Sequence, residues 1–285
     1  MVTQEQIQQY QHQGYTIVPG LFSTAEARFY LDHYMAMHER ESAAQNRSLG
    51  DASSVGANAA DPLQAWPRLM MMHRRDDVSL RWLTDARINQ CLTDLLGREP
   101  YAVQTMMYFK PAGARGQALH QDQYYLRVQP GVCVAAWMAL EDIDVENGCL
   151  QVVPGSHMWP LLCTVEADTT QSFTDVTVTL PADQSPTPVI MQAGDVLFFH
   201  GQLVHGSFPN RSRNRFRRSL IAHYIEGQAE QVYKWYHPVL RMDGSELELG
   251  VSALGGACGT WVTEKGESVL ELQPELVNRE IFREG

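Results

Sequence analysis

From residue 101 onward this 285-residue chain is written as short apolar runs cut apart by turn residues, and that pattern restricts its fold more than anything else in it. Residues 101–110 read as a strand ended by Pro111-Ala112-Gly113, residues 132–140 as a second, and residues 149–153 as a third, closed by Pro154-Gly155. Residues 173–180 alternate apolar and polar side chains, and residues 189–191, 196–199 and 220–224 continue the series. Runs this short cannot bury themselves alone. Many of them in close succession pack as a sandwich or a jelly roll.

The first hundred residues read differently. Residues 3–13 are polar, with Ile7 and Tyr10 three apart, which predicts a short amphipathic helix ended by Gly14; residues 15–19 follow as a strand. Ser23, with Glu26 three later, has the capping-box form and starts a helix expected to reach about Arg40. Residues 42–62, rich in Ala, Ser, Asn and Gly, read as a mobile loop. Residues 77–97 carry one helical pattern (Leu80, Leu83, Ile88, Leu92, Leu95, Leu96) that stops at Gly97. The expected architecture is an all-β core with flanking helices in a single domain over residues 1–285. Residues 1–100 would form the helical flank and first strand, 101–225 the core, and 226–285 a C-terminal extension. All-β folds of this length often form one domain.

Lys and Arg number 22 against 33 Asp and Glu, a formal net charge of −11. Such a surface repels phosphate backbones and anionic headgroups, so neither nucleic acid nor a membrane is an expected partner. No apolar run reaches the roughly 18 residues needed to span a bilayer, and the N-terminus has neither the basic start nor the apolar run of a signal peptide. The cysteines, Cys91, Cys133, Cys149, Cys163 and Cys258, are odd in number and include no CxxC pair. That argues against a disulfide framework or zinc knuckle and for a reducing, cytoplasmic setting.

Chemistry enters at His120-Gln121-Asp122. On a strand, residues two apart share a face, so one strand could offer an imidazole and a carboxylate to a single metal ion. The third ligand must come from elsewhere. His205, which follows apolar residues 196–199 and a turn, is best placed. Two histidines and a carboxylate on one face of an octahedron leave three positions open, as in non-haem Fe(II) oxygenases; a closed four-ligand set would be structural zinc. Two open positions suit a bidentate 2-oxo acid and the third suits O2. His-x-Asp alone is a weak signal, and its flanks decide. Among the other histidines, His157 and His200 read as structural, and His12, His33, His38, His73, His223 and His237 have no supporting context.

Five segments in order carry a family resemblance. They are residues 14–23; Tyr108-Phe109-Lys110-Pro111 leading to His120-Gln121-Asp122; Trp137-Met138-Ala139-Leu140-Glu141-Asp142; residues 146–157; and His205-Gly206-Ser207 through Asn210 to Phe216-Arg217-Arg218-Ser219-Leu220. Together they span most of residues 1–225 and resemble the phytanoyl-CoA dioxygenase family of Fe(II)/2-oxoglutarate-dependent oxygenases. The resemblance implies a double-stranded β-helix (a cupin-like jelly roll), with ferrous iron on His120, Asp122 and His205. It also implies that an arginine after the second histidine holds the far carboxylate of 2-oxoglutarate, as a guanidinium can through two parallel bonds. The loop offers Arg211, Arg213, Arg215, Arg217 and Arg218. Arg217 aligns with the family's strand, although one residue further from His205 than the family pattern. Alternation would point Arg217 and Ser219 inward and Arg218 outward.

Ser207, Trp137 and Tyr108 resemble further cosubstrate positions. Gln104, Met106, Gln121 and Tyr124 are candidates for the substrate pocket, with ordinary barrel core as their alternative. The implied reaction is hydroxylation of a small-molecule metabolite by O2 with release of succinate and CO2, in a monomer or homodimer, with ascorbate as an in vitro reductant. Related halogenases carry a small residue at the carboxylate position, so Asp122 argues for hydroxylation, desaturation, epimerisation or cyclisation. The rivals are a cupin-like metal protein that does not use 2-oxoglutarate and a catalytically silent binding module. Residues 42–75, 111–119 and 160–190 and the segment after 225 are expected to set the substrate.

Overall fold

Capping side chains set the first elements of the computed structural model, which describes residues 2–48, 62–253, 257–264 and 267–273. Helix α1 (Gln4–Gln13) starts at Thr3, whose hydroxyl accepts from the Gln6 amide while the Gln6 side chain accepts from the Thr3 amide. It ends at Gly14, whose φ of 81° lies in the left-handed region that favours glycine. A Cβ there would stand 2.6 Å from the His157 ring, so the missing side chain also lets the turn after Pro154 close against the helix end. After β1 (Tyr15–Val18), Ser23 and Glu26 exchange hydrogen bonds of 2.8 and 3.2 Å and start α2 (Thr24–Ser48). This helix runs past Arg40 into residues expected to be loop, because Ala43, Ala44 and Gln45 are good helix formers. Residues 49–61 of that expected loop lie outside the described residues.

β2 (Leu69–Met70) precedes α3 (Asp77–Leu83) and α4 (Ala86–Leu96). The single helix expected over 77–97 is thus two. Asp76 caps the first by accepting from the Ser79 amide, and Asp85 caps the second by accepting from that of Arg87. The apolar stripe continues across the break, which is why periodicity alone does not reveal it. Gly97 ends α4 as expected.

The remaining elements follow in chain order. They are β3 (Tyr101–Lys110), β4 (Gln117–His120), α5 (Gln123–Leu126), β5 (Cys133–Ala139), β6 (Leu150–Val152), β7 (Thr164–Glu166), β8 (Val176–Val178), β9 (Thr187–Val189), β10 (Val196–His200), β11 (His205–Ser207) and β12 (Arg217–Ile225). Then come β13 (Gln231–Val232), β14 (Val239–Leu240), β15 (Glu246–Leu247), β16 (Gly250–Val251), β17 (Cys258–Glu264) and β18 (Glu267–Gln273). The large sheet has the order β1-β10-β5-β12-β3-β14-β15, with β2 also on β3; the small sheet is β4-β11-β6-β9. Strands β3 to β6 alternate between the large and small sheets, and β9 to β12 do so again. This order is consistent with the jelly roll expected from the sequence.

Two-residue alternation divides the core. Val134, Ala136 and Met138 of β5, with Phe198 and Leu220, bury their side chains against Phe22, Tyr34, Trp82 and Leu92 of the helical side. Ala135, Trp137 and Ala139, with Leu197, Phe199 and Ile221, face Leu150, Val152 and Val189 of the small sheet. The helices therefore close one face of the large sheet, and a site can form only on the other.

The cysteine expectation needs correction. Cys163 and Cys258 are joined by a disulfide, with Cα atoms 5.0 Å apart and a sequence separation of 95. Cys91, Cys133 and Cys149 are free and buried. A bridge between such distant residues leaves no local spacing to read. Backbone bonds from Cys163 N to Gly259 O (2.9 Å) and from Gly259 N to Leu161 O (2.7 Å) fasten the β17–β18 hairpin beside it. Among the described residues no helix is long and apolar enough to cross a membrane.

Candidate metal centre and cavity

Backbone carbonyls fix the two imidazoles. His120 ends β4, His205 begins β11, and the two face each other in the ladder. His120 Nδ1 lies 2.9 Å from Ala118 O, and His205 Nδ1 lies 2.9 Å from Leu203 O. A carbonyl can only accept, so each ring donates through Nδ1 and keeps the Nε2 lone pair for a ligand. The two Nε2 atoms stand 3.5 and 3.7 Å from the Asp122 carboxylate oxygens, and the three donor atoms lie within 4.8 Å of one another. Asp122 does not continue the strand, as the same-face expectation required. It is the residue before α5, with φ −63° and ψ −32°, and this turn swings its carboxylate beside His120.

All three residues are buried. Burial pushes His205 down to about 4, with His120 adding to the effect, so the ring is neutral. Burial works against the Asp122 anion, and the hydrogen bond it accepts from His223 helps hold the carboxyl well below its usual range. Neutral imidazoles and an ionised carboxylate are the forms that bind metal, so the donor set fits a divalent transition metal with open positions.

His223 had no supporting context in the sequence, and the structure places it beside Asp122. Its Nε2 lies 3.0 Å from Asp122 Oδ2, it is buried on β12, and its Nδ1 has no hydrogen-bond partner among the described residues. The only available signal was parity: counting in twos from Arg217 reaches it. By holding Asp122, His223 would orient that carboxylate toward a metal ion. We expect His223→Leu to weaken Fe(II) binding about 10- to 100-fold, with His223→Gln recovering part of the loss. Anaerobic Fe(II) titration checks this, and unchanged affinity in the Leu variant would remove the role.

A second cluster lies at the other end of β12. Arg217 is 3% exposed; its Nε donates to Gly148 O (3.2 Å), its Nη1 to Ser219 Oγ (3.0 Å), and its guanidinium carbon sits 5.5 Å from the Trp137 ring centroid. Lys110, its ladder partner, is 2% exposed and donates to Ser207 Oγ (2.7 Å) and Phe208 O (2.6 Å). Neither has a carboxylate partner among the described residues. Burial pushes Arg217 down to about 10, and burial with Arg217 beside it holds Lys110 well below its ordinary value. Gly148 makes the close approach feasible: at φ 87°, a Cβ would stand 2.8 Å from Lys110 Cδ. Two buried cations without an anion fit a bound carboxylate. Lys110 lies in Tyr108-Phe109-Lys110-Pro111 with no role legible from sequence, because lysines on strands are usually solvated.

A cavity of about 360 Å³ opens over His120 and Asp122. Gln104, Met106, Tyr108 and Tyr124 line it. Gln121 does not: its side chain donates to Gln202 O (2.8 Å) and Pro160 O (3.2 Å) and accepts from Leu162 N (2.7 Å), so it clamps backbone segments. Ser207 Oγ accepts from Lys110 and from Gln117 N (3.1 Å), and Trp137 packs against Arg217. Arg218 points to the opposite face, where it binds Glu141 at 2.8 Å; Arg215 pairs with Asp144 at 2.7 Å; Arg211 and Arg213 are exposed. The segments expected to set the substrate supply Arg68 and Met70, Gln117, Phe173 to Val176, and Tyr236.

Fold and site together define a protein with a core of one large and one small sheet and a His-Asp-His arrangement, beside a small cavity, that could hold a metal ion. The chain belongs to the Phytanoyl-CoA dioxygenase (PhyH) family, whose profile matches residues 10–219. The bovine protein "Phytanoyl-CoA dioxygenase, peroxisomal" is 26% identical over 239 residues, covering 80% of this chain and 70% of that one. "Phytanoyl-CoA dioxygenase 1" of rice is 33% identical over 163 residues, 54% of this chain, and the match spans only 55% of the rice protein. Among solved structures, the epimerase SnoN in complex with Fe3+, alpha ketoglutarate and nogalamycin RO superposes with a TM-score of 0.61 at 22% identity, covering 94% of this chain and 97% of SnoN. The carbocyclase SnoK from nogalamycin biosynthesis gives 0.60 at 22% identity, over 80% and 86%. At these identities the likeness is one of fold.

Proposed function

We propose that this chain is an Fe(II)- and 2-oxoglutarate-dependent oxygenase of a small molecule, built on a double-stranded β-helix. His120, Asp122 and His205 would hold the iron, and Arg217 with Lys110 would hold the far carboxylate of the cosubstrate. The observation that carries this reading is the pairing of the two clusters. A three-donor set, its two rings donating through Nδ1 to backbone carbonyls and turning Nε2 toward the Asp122 carboxylate, lies in the same interior as buried Arg217 and Lys110, which have no carboxylate partner among the described residues. When bound, iron with 2-oxoglutarate supplies the oxidising chemistry, using O2 and releasing succinate and CO2. The chain itself orients the rings through Ala118 and Leu203, steadies Asp122 through His223, neutralises the cosubstrate, and shields the cavity with Tyr108, Tyr124 and Tyr125. The volume of about 360 Å³ lies at the low end of small-molecule sites, which supports a small metabolite over an acyl-CoA.

Hydroxylation is the reading for the outcome. Epimerisation and cyclisation form the second reading, supported by the likeness in fold to SnoN and SnoK. The test is succinate formation by anaerobically purified protein given Fe(II), 2-oxoglutarate and ascorbate, then O2, beside His120→Ala. Iron-dependent succinate that the variant lacks is the expected result. No succinate together with no iron-dependent 2-oxoglutarate binding would replace this reading with a binding module.

A further inference from the structure

Arg68 stands at the rim of the cavity, and nothing in the metal or cosubstrate assignment uses it. Its Nη1 donates to Tyr108 Oη at 3.1 Å. Its guanidinium carbon lies 5.8 Å from the Tyr108 ring centroid and 5.9 Å from that of Phe173, so aromatic rings on two walls position the cationic group. Among the described residues Arg68 makes no ion pair. A guanidinium offers five N–H donors in a fixed fork, and Tyr108 engages one nitrogen. The remaining donors are available at the opening through which a substrate must pass. Tyr108 connects this rim to the interior, since it shares a strand face with Met106 and Gln104 along the same cavity.

We propose that Arg68 recognises a carboxylate on the substrate, so that the molecule oxidised here is a small organic acid, with its carbon skeleton against Met70, Met106 and Phe173. This deepens the function proposed above and rests on it for the metal. A carboxylate matches the planar fork through two parallel bonds. Asp175 lines the same cavity, and its charge disfavours a substrate carrying more than one negative group. The acid is held at the rim, so the carbon presented to the metal is remote from the carboxylate and not adjacent to it.

The experiment loads the full chain anaerobically with Mn(II) and saturating 2-oxoglutarate, and scores that loading first by calorimetry. The loaded protein is then titrated with 3-phenylpropanoate, hexanoate and N-acetyl-leucine, and with the primary amide of each. The expected result is binding of at least one acid, at least tenfold tighter than its amide. Arg68→Gln should remove that preference and Arg68→Lys keep part of it, while Arg28→Gln, on the exposed face of α2, changes nothing. Failure of the loading step overturns the metal assignment and this proposal with it. After successful loading, three results overturn this proposal alone: no acid binds, amides bind as well as acids, or Arg68→Gln binds acids like the wild type. Loss of 2-oxoglutarate binding in Arg68→Gln also overturns it, because the cation would then be serving the cosubstrate.

Discussion

Asp122→Asn is expected to lower Fe(II) affinity by more than about 100-fold while the chain stays folded. Loss of a residue that merely orients a ligand costs about 10- to 100-fold, so loss of the one anionic donor must exceed it. Asparagine keeps the shape and can still accept from His223 Nε2, which stands 3.0 Å from the carboxylate in the wild type. It also loses the stabilisation that a carboxyl held below its usual range gives the fold at neutral pH, so the metal-free variant should melt lower than the wild type while still unfolding cooperatively. Added Fe(II) should raise the melting temperature of the wild type by mass action and leave the variant unmoved. Metal analysis after anaerobic reconstitution and dialysis gives the direct answer. A variant that retains one iron per chain would sink the assignment of the triad.

The second large effect has opposite signs for stability and binding. Arg217→Met should raise the melting temperature of the ligand-free protein by a few degrees and nearly abolish 2-oxoglutarate binding. Arg217 and Lys110 are buried without an anion, and an uncompensated buried cation destabilises a fold by several kcal/mol. Methionine fills the volume and packs on Trp137. The groups it deserts are not stranded: Lys110 Nζ remains 3.5 Å from Gly148 O, and the Ser219 hydroxyl can turn. Truncating one side of a buried, hydrogen-bonded charge pair costs about 2–5 kcal/mol. That corresponds to roughly 30-fold at the low end and over a thousandfold at the high end in Kd. Calorimetric titration of the iron-loaded variant, with a thermal melt of the metal-free form, reads both. Unchanged affinity would mean that Arg217 is not the clamp, and a lower melting temperature would mean that its bonds outweigh its desolvation.

How far the sequence could be read depended on whether a signal was local. The strands of the large sheet were legible because they are buried on both faces and so read as unbroken apolar runs, bounded by Pro and Gly. Strand parity put Arg217 and Arg218 on opposite faces, as the structure has them. Parity misled at Asp122, where a helical turn intervenes after His120. Adjacency misled at Gln121, whose position between two candidate ligands says nothing of its bonds to Gln202 and Leu162, and which parity alone would have turned away from them. His223, Lys110 and the disulfide are long-range facts. Each acquires its meaning from a partner 95 or more residues away: Asp122 for His223, Ser207 for Lys110, and Cys258 for Cys163.

The bridge between Cys163 and Cys258 bears on bench practice. It ties the β17–β18 hairpin to the segment that leads to β7, and the chain from β7 onward carries Phe173 to Val176 of the cavity wall. Ferrous enzymes are commonly guarded during purification with thiols such as dithiothreitol, and a thiolate opens disulfides by exchange. Ascorbate protects iron without that exchange. Two preparations of this protein, alike in iron content but differing in the reductant, would therefore carry differently tethered cavity walls.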